Sequence, residues 1–268
     1  MEKNTEKEYV SYDHNTRILI WVIITIGILL YYSVMTMLSP GRKYNELKSE
    51  FGYKTDEKNP LDERIFSDSA YLSMLKEKSF LQSRVALAES DSIYLTVNLK
   101  DSTINLEING VSVHNTAISR YSVSKLFKGE NNYVILSMLG VPLTISRNYA
   151  SIEKEPLMIK LAPKDTSEYE PDIIPDTADF EPVNFIMEME NGTRLFVYQE
   201  EKLKQGDGMR RFIFDMKHRI RFEAAGFRRI FTFRVPEYHP FIKLRIPRSD
   251  AKIIYRALPG RGQVAVYS

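Results

Sequence analysis

Between Ile18 and Leu38 the chain reads ILIWVIITIGILLYYSVMTML, without one charged side chain. About 20 apolar residues in an α-helix cross the hydrocarbon core of a bilayer. No other feature constrains the fold as strongly. Two other origins yield apolar runs, a buried core helix and a cleaved signal peptide. A soluble core rarely needs so long an uncharged stretch. A signal peptide has a shorter apolar region and a small-x-small cleavage site, and no such site follows here. The run reads as an uncleaved signal anchor, a single transmembrane helix over residues 18–38 with Trp21, Tyr31 and Tyr32 toward the interfaces. Pro40 and Gly41 are expected to stop it. Lys3, Lys7 and Arg17 precede the helix, and Arg42, Lys43 and Lys48 follow it. That balance leans slightly toward a cytoplasmic C-terminal domain.

The 268 residues suffice for one substantial core, or a core with a small appendage. Abundant Tyr and Phe suit a β-rich fold. The absence of cysteine excludes disulfides, thiolate metal sites and a cysteine nucleophile. The histidines, His14, His114, His218 and His239, are scattered and support no metal site. No P-loop, HExxH, nucleophile elbow or dinucleotide glycine motif occurs. No metal or cofactor is expected. A net charge of +2 argues neither for nor against nucleic acid, and no nucleic-acid partner is expected.

Residues 1–17 read as a disordered tail and 39–90 as a juxtamembrane spacer with a helix. That helix runs from Asp68 to about Ala88, capped by Ser67 or Asp68. Its apolar positions are Tyr71, Met74, Leu75, Leu81, Val85 and Ala88, packed on its own domain or paired with a partner helix. The period then becomes two. Ile93, Leu95, Val97 and Leu99 precede a turn at Asp101-Ser102. Ile104, Leu106 and Ile108 precede Asn109-Gly110, which turns into Val111 and Val113. This is a β-meander. A short helix is expected near 123–127, and strands at 133–138, 142–147 and 157–161. Residues 163–182 form an acidic, proline-punctuated loop. Asn191-Gly192 joins two further strands in a hairpin. The C-terminal third is basic, with phenylalanines at core-like spacing between the charges. A strand at 241–246 then leads to a helix with Ser249 as cap and Ile253, Ile254, Ala257 and Leu258 as its buried stripe, and to a last strand with Val264 and Val266.

Two stretches together resemble an L,D-transpeptidase catalytic domain of the YkuD type. SIYLTVNLKDSTINLEINGVSVHNTAIS, residues 92–119, is similar to that family's opening strands and turns. YHPFIKLRIPRSDAKIIYRALPGRGQVAVY, residues 238–267, is similar to its end. There a Ser-His-Gly-Cys-Ile-Arg-Leu motif leads to a helix, a Pro/Gly turn and a Val-x-Val strand. The likeness covers the two ends of the domain and not its middle. It implies a fold that is mainly β with a few short helices: an L,D-transpeptidase-like β-sandwich over residues 91–268, behind the single anchor.

The departures from the motif bear on function. Tyr238 stands for the serine, His239 keeps the histidine, Pro240 stands for the glycine, Phe241 for the cysteine and Lys243 for the arginine. The family's chemistry needs a thiolate to attack a peptide carbonyl. A phenyl ring has no nucleophile, and proline removes a backbone N–H. No catalytic residue is therefore assigned. Phe241, His239 and Gly226 are the candidate lining of an inherited groove, with His218 too far along the chain to match the family's second histidine. His114 has no evident partner. The resemblance implies a non-catalytic envelope protein in a bacterial cytoplasmic membrane, single-pass, with its C-terminal domain on the periplasmic side. It would act as a scaffold or regulatory subunit and bind a protein partner or peptidoglycan. The alternatives are a component of a membrane secretion or conjugation complex, and an active cell-wall enzyme with a non-cysteine nucleophile.

Overall fold

The computed structural model of the chain describes residues 14–52, 68–128, 133–154, 182–201 and 207–268. Most of the expected tail, the expected strand at 157–161 and the acidic loop up to residue 181 lie outside them.

Helix α1 (His14–Phe51) is long and apolar enough to cross a membrane, and none of its apolar window is buried in the protein. It does not stop at Pro40, as expected, but continues through it for another eleven residues to Phe51. The prolyl nitrogen carries no hydrogen for the Thr36 carbonyl. The Ser39 hydroxyl donates to that oxygen instead, at 2.8 Å. The helix ends at Gly52, where a Cβ would lie 2.1 Å from the Lys48 carbonyl oxygen. The last turns of α1 are core and not spacer. Leu47 is 1% exposed, and Tyr44 and Phe51 pack beside it.

Helix α2 (Ser69–Ala88) starts where the capping signal put it, with the Asp68 carboxylate accepting from the Ala70 N–H at 2.9 Å. Its packed face differs from the expected one. Leu72, Ser79, Ser83 and Leu87 face inward, whereas Tyr71, Met74, Leu81 and Val85 are exposed. Serines let the helix approach the sheet closely, and Leu87 then packs on Tyr94 and Ala265. Apolar spacing locates a face but does not say what meets it.

The strands are β1 (Tyr94–Asn98), β2 (Thr103–Ile108), β3 (Val111–Ala117), β4 (Arg120–Val123), β5 (Leu143–Ala150), β6 (Asn184–Met189), β7 (Arg194–Gln199), β8 (Phe241–Ile246) and β9 (Gln263–Tyr267). They form one mixed nine-stranded sheet in the order β3-β2-β1-β9-β5-β6-β7-β8-β4. Strand β5 joins two halves: Leu143 and Thr144 pair with β9, and the rest pairs with β6 after a bulge. The two edges, β3 and β4, follow each other in the chain across Ile118 and Ser119. The Ile118 N–H bonds the Ser102 carbonyl in one half, and the Ser119 N–H bonds the Arg245 carbonyl in the other. The sheet therefore curls until its edges are neighbours. Alternate residues of the strands point into one apolar core, among them Leu95, Ile104, Ile145, Phe185, Leu195, Leu244 and Val264. Positive φ at Asn109 and Gly110 makes the tight β2–β3 turn that Asn-Gly announces.

Three expectations along the domain change. Residues 133–139 form a helix, α3 (Tyr133–Leu139), whose Val134, Ile135, Leu136, Met138 and Leu139 are all buried. A short run buried on every side has no periodicity to separate strand from helix. The segment after β4 is a turn and not a helix. Helix α5 (Arg248–Ala257) has no side-chain cap bond, and its buried side is Ala251, Ile254 and Tyr255, with Ile253 exposed.

The larger surprise is α4 (Asp207–Phe231), a 25-residue helix across the basic third. It is long where the domain was expected to hold only a few short helices. Helix α2 covers the outer face of the β1–β9 half, and α4 covers the outer face of the β7–β8 half.

Candidate functional site

The space between α4 and the outer face of β7–β8 is a cavity of about 340 Å³, closed on one side by Tyr32, Thr36 and Ser39 of α1. All three residues expected to line a groove, Gly226, His239 and Phe241, are on its wall, and so are Tyr238 and Lys243. Pro240, the remaining position of the degenerate motif, is buried, and its carbonyl accepts from the Arg194 N–H at 2.8 Å.

Strand alternation puts Phe241 and Lys243 on the same face of β8. Parallel pairing sets Arg194 opposite Phe241, and Phe196 opposite Lys243. The Phe241 ring stands edge-on to Phe196 with centroids 6.3 Å apart. The Lys243 ammonium lies 5.0 Å from the Phe241 centroid and 5.2 Å from that of Phe196. A cation held between two ring faces is attracted by both quadrupoles.

His239 is fixed from the β6–β7 hairpin. Its Nδ1 is 3.0 Å from the Gly192 carbonyl oxygen and 3.6 Å from a Glu188 oxygen. Gly192 has φ +81°, and a Cβ there would sit 3.3 Å from His239 Nδ1, so both conformation and space call for glycine. Burial and the nearby Arg194 hold the His239 pKa below its ordinary value, partly offset by the Gly192 carbonyl and Glu188. A neutral imidazole facing a carbonyl carries its hydrogen on Nδ1. Nε2 is then the atom left to accept.

His218 was set aside on sequence spacing, yet α4 brings it to the same wall. Its ring lies 4.5 Å from that of Phe222, tilted by 34°, and 5.6 Å from that of Phe196. Burial, then Arg194 and His239, push its pKa down to about 4. On the same helix the Asp215 carboxylate accepts from the Tyr198 hydroxyl at 2.8 Å. Burial, reinforced by Asp215, drives the Tyr198 phenol far above its usual range, so it holds its proton. The sequence signal for this wall was His218, Phe222 and Gly226 at successive i+4 steps, which put three residues on one side of a helix.

The arrangement is suited to holding a ligand. The cavity wall carries Arg194, Arg219, Arg229 and Lys243 against Asp215 and Glu237. Asp215 is tied to Tyr198, and Glu237 to Arg229 at 3.0 Å. Two of its hydroxyls are engaged by α1 itself: Ser39 donates to the Thr36 carbonyl, and Thr36 to the Tyr32 carbonyl at 3.0 Å. Among the described residues no cluster of His, Asp and Glu is placed to hold a metal ion. Elsewhere, His114 has a partner that sequence did not reveal, Asp250 at 3.3 Å, whose carboxylate also accepts from Thr116.

The two stretches that carry the transpeptidase resemblance meet, since β1 and β9 pair in parallel from Leu95–Val264 to Asn98–Tyr267. No family model matches the chain, and neither does any curated protein or solved structure.

Proposed function

We propose that this chain is a membrane-anchored binding protein of the bacterial envelope, a non-catalytic relative of L,D-transpeptidases that holds a peptide-like ligand in the α4–β7–β8 cavity. One observation carries the reading. Gly226 of α4, His239 just before β8 and Phe241 at its start line a single cavity that is aromatic in its walls and cationic in its charge. Such a wall favours a ligand with carboxylates and apolar side chains. A partner's acidic peptide and a peptidoglycan stem peptide both have that chemistry. Phe241 offers no lone pair at the position the family uses for attack. The periplasmic placement of the domain rests on the resemblance. The anchor supports membrane attachment, and Tyr32 and Thr36, inside its apolar run, would set the cavity at the bilayer boundary.

The test uses the full chain in nanodiscs with purified muropeptides and with a photo-crosslinking residue at Phe241. Saturable muropeptide binding that Phe241→Ala and Lys243→Ala weaken supports the wall-ligand version. Crosslinks from position 241 to one envelope protein, missing from a control at Ser112, support the partner version. With neither result the cavity is not a binding site.

A second reading, a subunit of a multi-chain membrane machine, is favoured by α2. Tyr71, Met74, Lys78, Leu81, Val85 and Ala88 follow a three-four spacing, and Tyr71, Met74, Leu81 and Val85 are exposed. That spacing is the seam of a coiled coil. In a chain without cysteine, Leu81→Cys should crosslink to another subunit in membranes. No crosslink beyond that of Ser112→Cys would remove this reading.

A further inference from the structure

Helix α4 has an outer face that the cavity does not use. Met209, Phe212, Ile213, Met216 and Ile220 are all exposed, from 39% to 67%. At 3.6 residues per turn they fall within an arc of about 100°, the width of the stripe a surface helix ordinarily buries in its own core. Here the opposite side, with Phe214 and His218, faces the sheet. Exposed Arg210, Lys217, Arg221 and Arg228 follow one another along one flank of the stripe. A solvated helix would not carry this many bare apolar side chains in one line.

The C-terminal end of α4 is tied to the apolar run of α1. The Tyr31 hydroxyl of α1 donates to the Ile230 carbonyl at 3.2 Å. The Tyr31 ring meets Phe233 edge-on at 5.7 Å. Arg42 of α1 donates to the Val235 carbonyl at 3.3 Å. Phe233 is 81% exposed, in the turn that closes α4 with φ +57°. Tyr31 lies inside the apolar run, seven residues before its end at Leu38. At 1.5 Å per residue that is about 10 Å below the end of the run. Interfacial helices bury their apolar face about 5–10 Å into the boundary between headgroups and acyl chains. If α1 spans a bilayer, Phe233 is at lipid depth, and α4 ends there.

We propose that α4 is an interfacial helix: its stripe from Met209 to Ile220, with Phe233, docks into the leaflet around α1, and its basic flank engages anionic phospholipid headgroups. This rests on reading α1 as a membrane span. The long arginine and lysine side chains reach from the apolar boundary to the phosphates. Two points of attachment, α1 and α4, fix the rotation of the domain about α1 as well as its height. The ligand cavity lies on the reverse side of α4, with Tyr32 and Thr36 of the apolar run on the wall nearest the membrane.

The chain has no cysteine, so single spin labels can be placed without background. Labels at Met216→Cys and Ile220→Cys are read in the full chain in nanodiscs of mixed zwitterionic and anionic phospholipid. Ile24→Cys reports the span, and Ser112→Cys on β3 reports water. The measurement is collision with oxygen against collision with a water-soluble nickel chelate. At positions 216 and 220 oxygen should be favoured several-fold, as at 24, and the ratio should reverse at 112. Reversing Arg210, Lys217 and Arg228 to Glu should reduce that preference at 216 and leave position 24 unchanged. If 24 is in lipid while 216 and 220 collide with nickel, the helix lies in water and the proposal is overturned. If 24 is in lipid while 216 and 220 are shielded from both reagents, protein covers the stripe and the proposal is overturned likewise. If 24 itself is not in lipid, the span reading fails first, and this proposal with it.

Discussion

The two halves of the sheet share one core but differ on their outer faces. On the β1–β9 half, beneath α2, the one buried carboxylate is fully engaged, although the buried Ser83 Oγ has no hydrogen-bond partner among the described residues. Glu107, 1% exposed, accepts from Thr96 at 3.0 Å and from Arg84 at 2.8 Å, and the Tyr94 hydroxyl accepts from the Gly110 N–H. On the β7–β8 half, beneath α4, the face carries Glu188, Arg194, Phe196, Tyr198, Phe241 and Lys243 and encloses the cavity. The buried Thr193 Oγ1 and Glu188 Oε2 there have no hydrogen-bond partner among the described residues. Unmatched buried atoms thus occur on both halves, and it is the cavity beneath α4 that sets the β7–β8 half apart.

The sharpest test of this contrast is a pair of truncations. Leu95→Ala in the shared core should cost about 2–5 kcal/mol in chemical denaturation. Phe241→Ala, half-buried at the cavity, should cost about 1 kcal/mol. Equal losses would mean that the β7–β8 half is packed as tightly as the rest, and the contrast would fail. Next, Arg84→Ala strands a buried carboxylate and should cost about 2 kcal/mol, less than for a fully buried pair because Arg84 is partly exposed. Recovery of part of that loss by adding Glu107→Gln would confirm the pairing.

The pH dependence should arise in the other half. His218 has its folded pKa near 4, below the ordinary 6.5. The unfolded chain therefore binds the proton first, and this contribution to stability is complete above pH 6.5 and lost as pH falls toward 4. The loss should be about 3 kcal/mol across that window, and His218→Phe should flatten it. An unchanged slope in the variant would mean that His218 does not titrate as a buried group. The smallest effect is expected from Lys243→Ala, about 0.5 kcal/mol, from the loss of two ring contacts. A loss above about 1.5 kcal/mol would give Lys243 a structural part in that half.

Local patterns read correctly where neighbouring residues decide. Asn109-Gly110, the Asp68 cap and the alternation of Ile104 and Leu106 were legible because each depends on a few bonds close in sequence. Pro40 misled because its effect depends on whether something else takes the Thr36 carbonyl, and Ser39 does. The stripe on α2 was found and its direction missed, because spacing does not say which face meets the sheet. Of the cavity, Phe241, His239 and Gly226 were visible through the resemblance. His218 was not, because its place there depends on a helix that the basic third concealed.

The sequence alone determined that an uncharged helix of membrane-spanning length precedes a chain of short alternating strands, since charge and period are properties of consecutive residues. Tertiary structure decided that the same helix runs on to place Leu47 in the core. It also decided that α4 sets His218 across from His239 and leaves an apolar row outside. Those relations join residues far apart in sequence, and only packing one surface against another creates them.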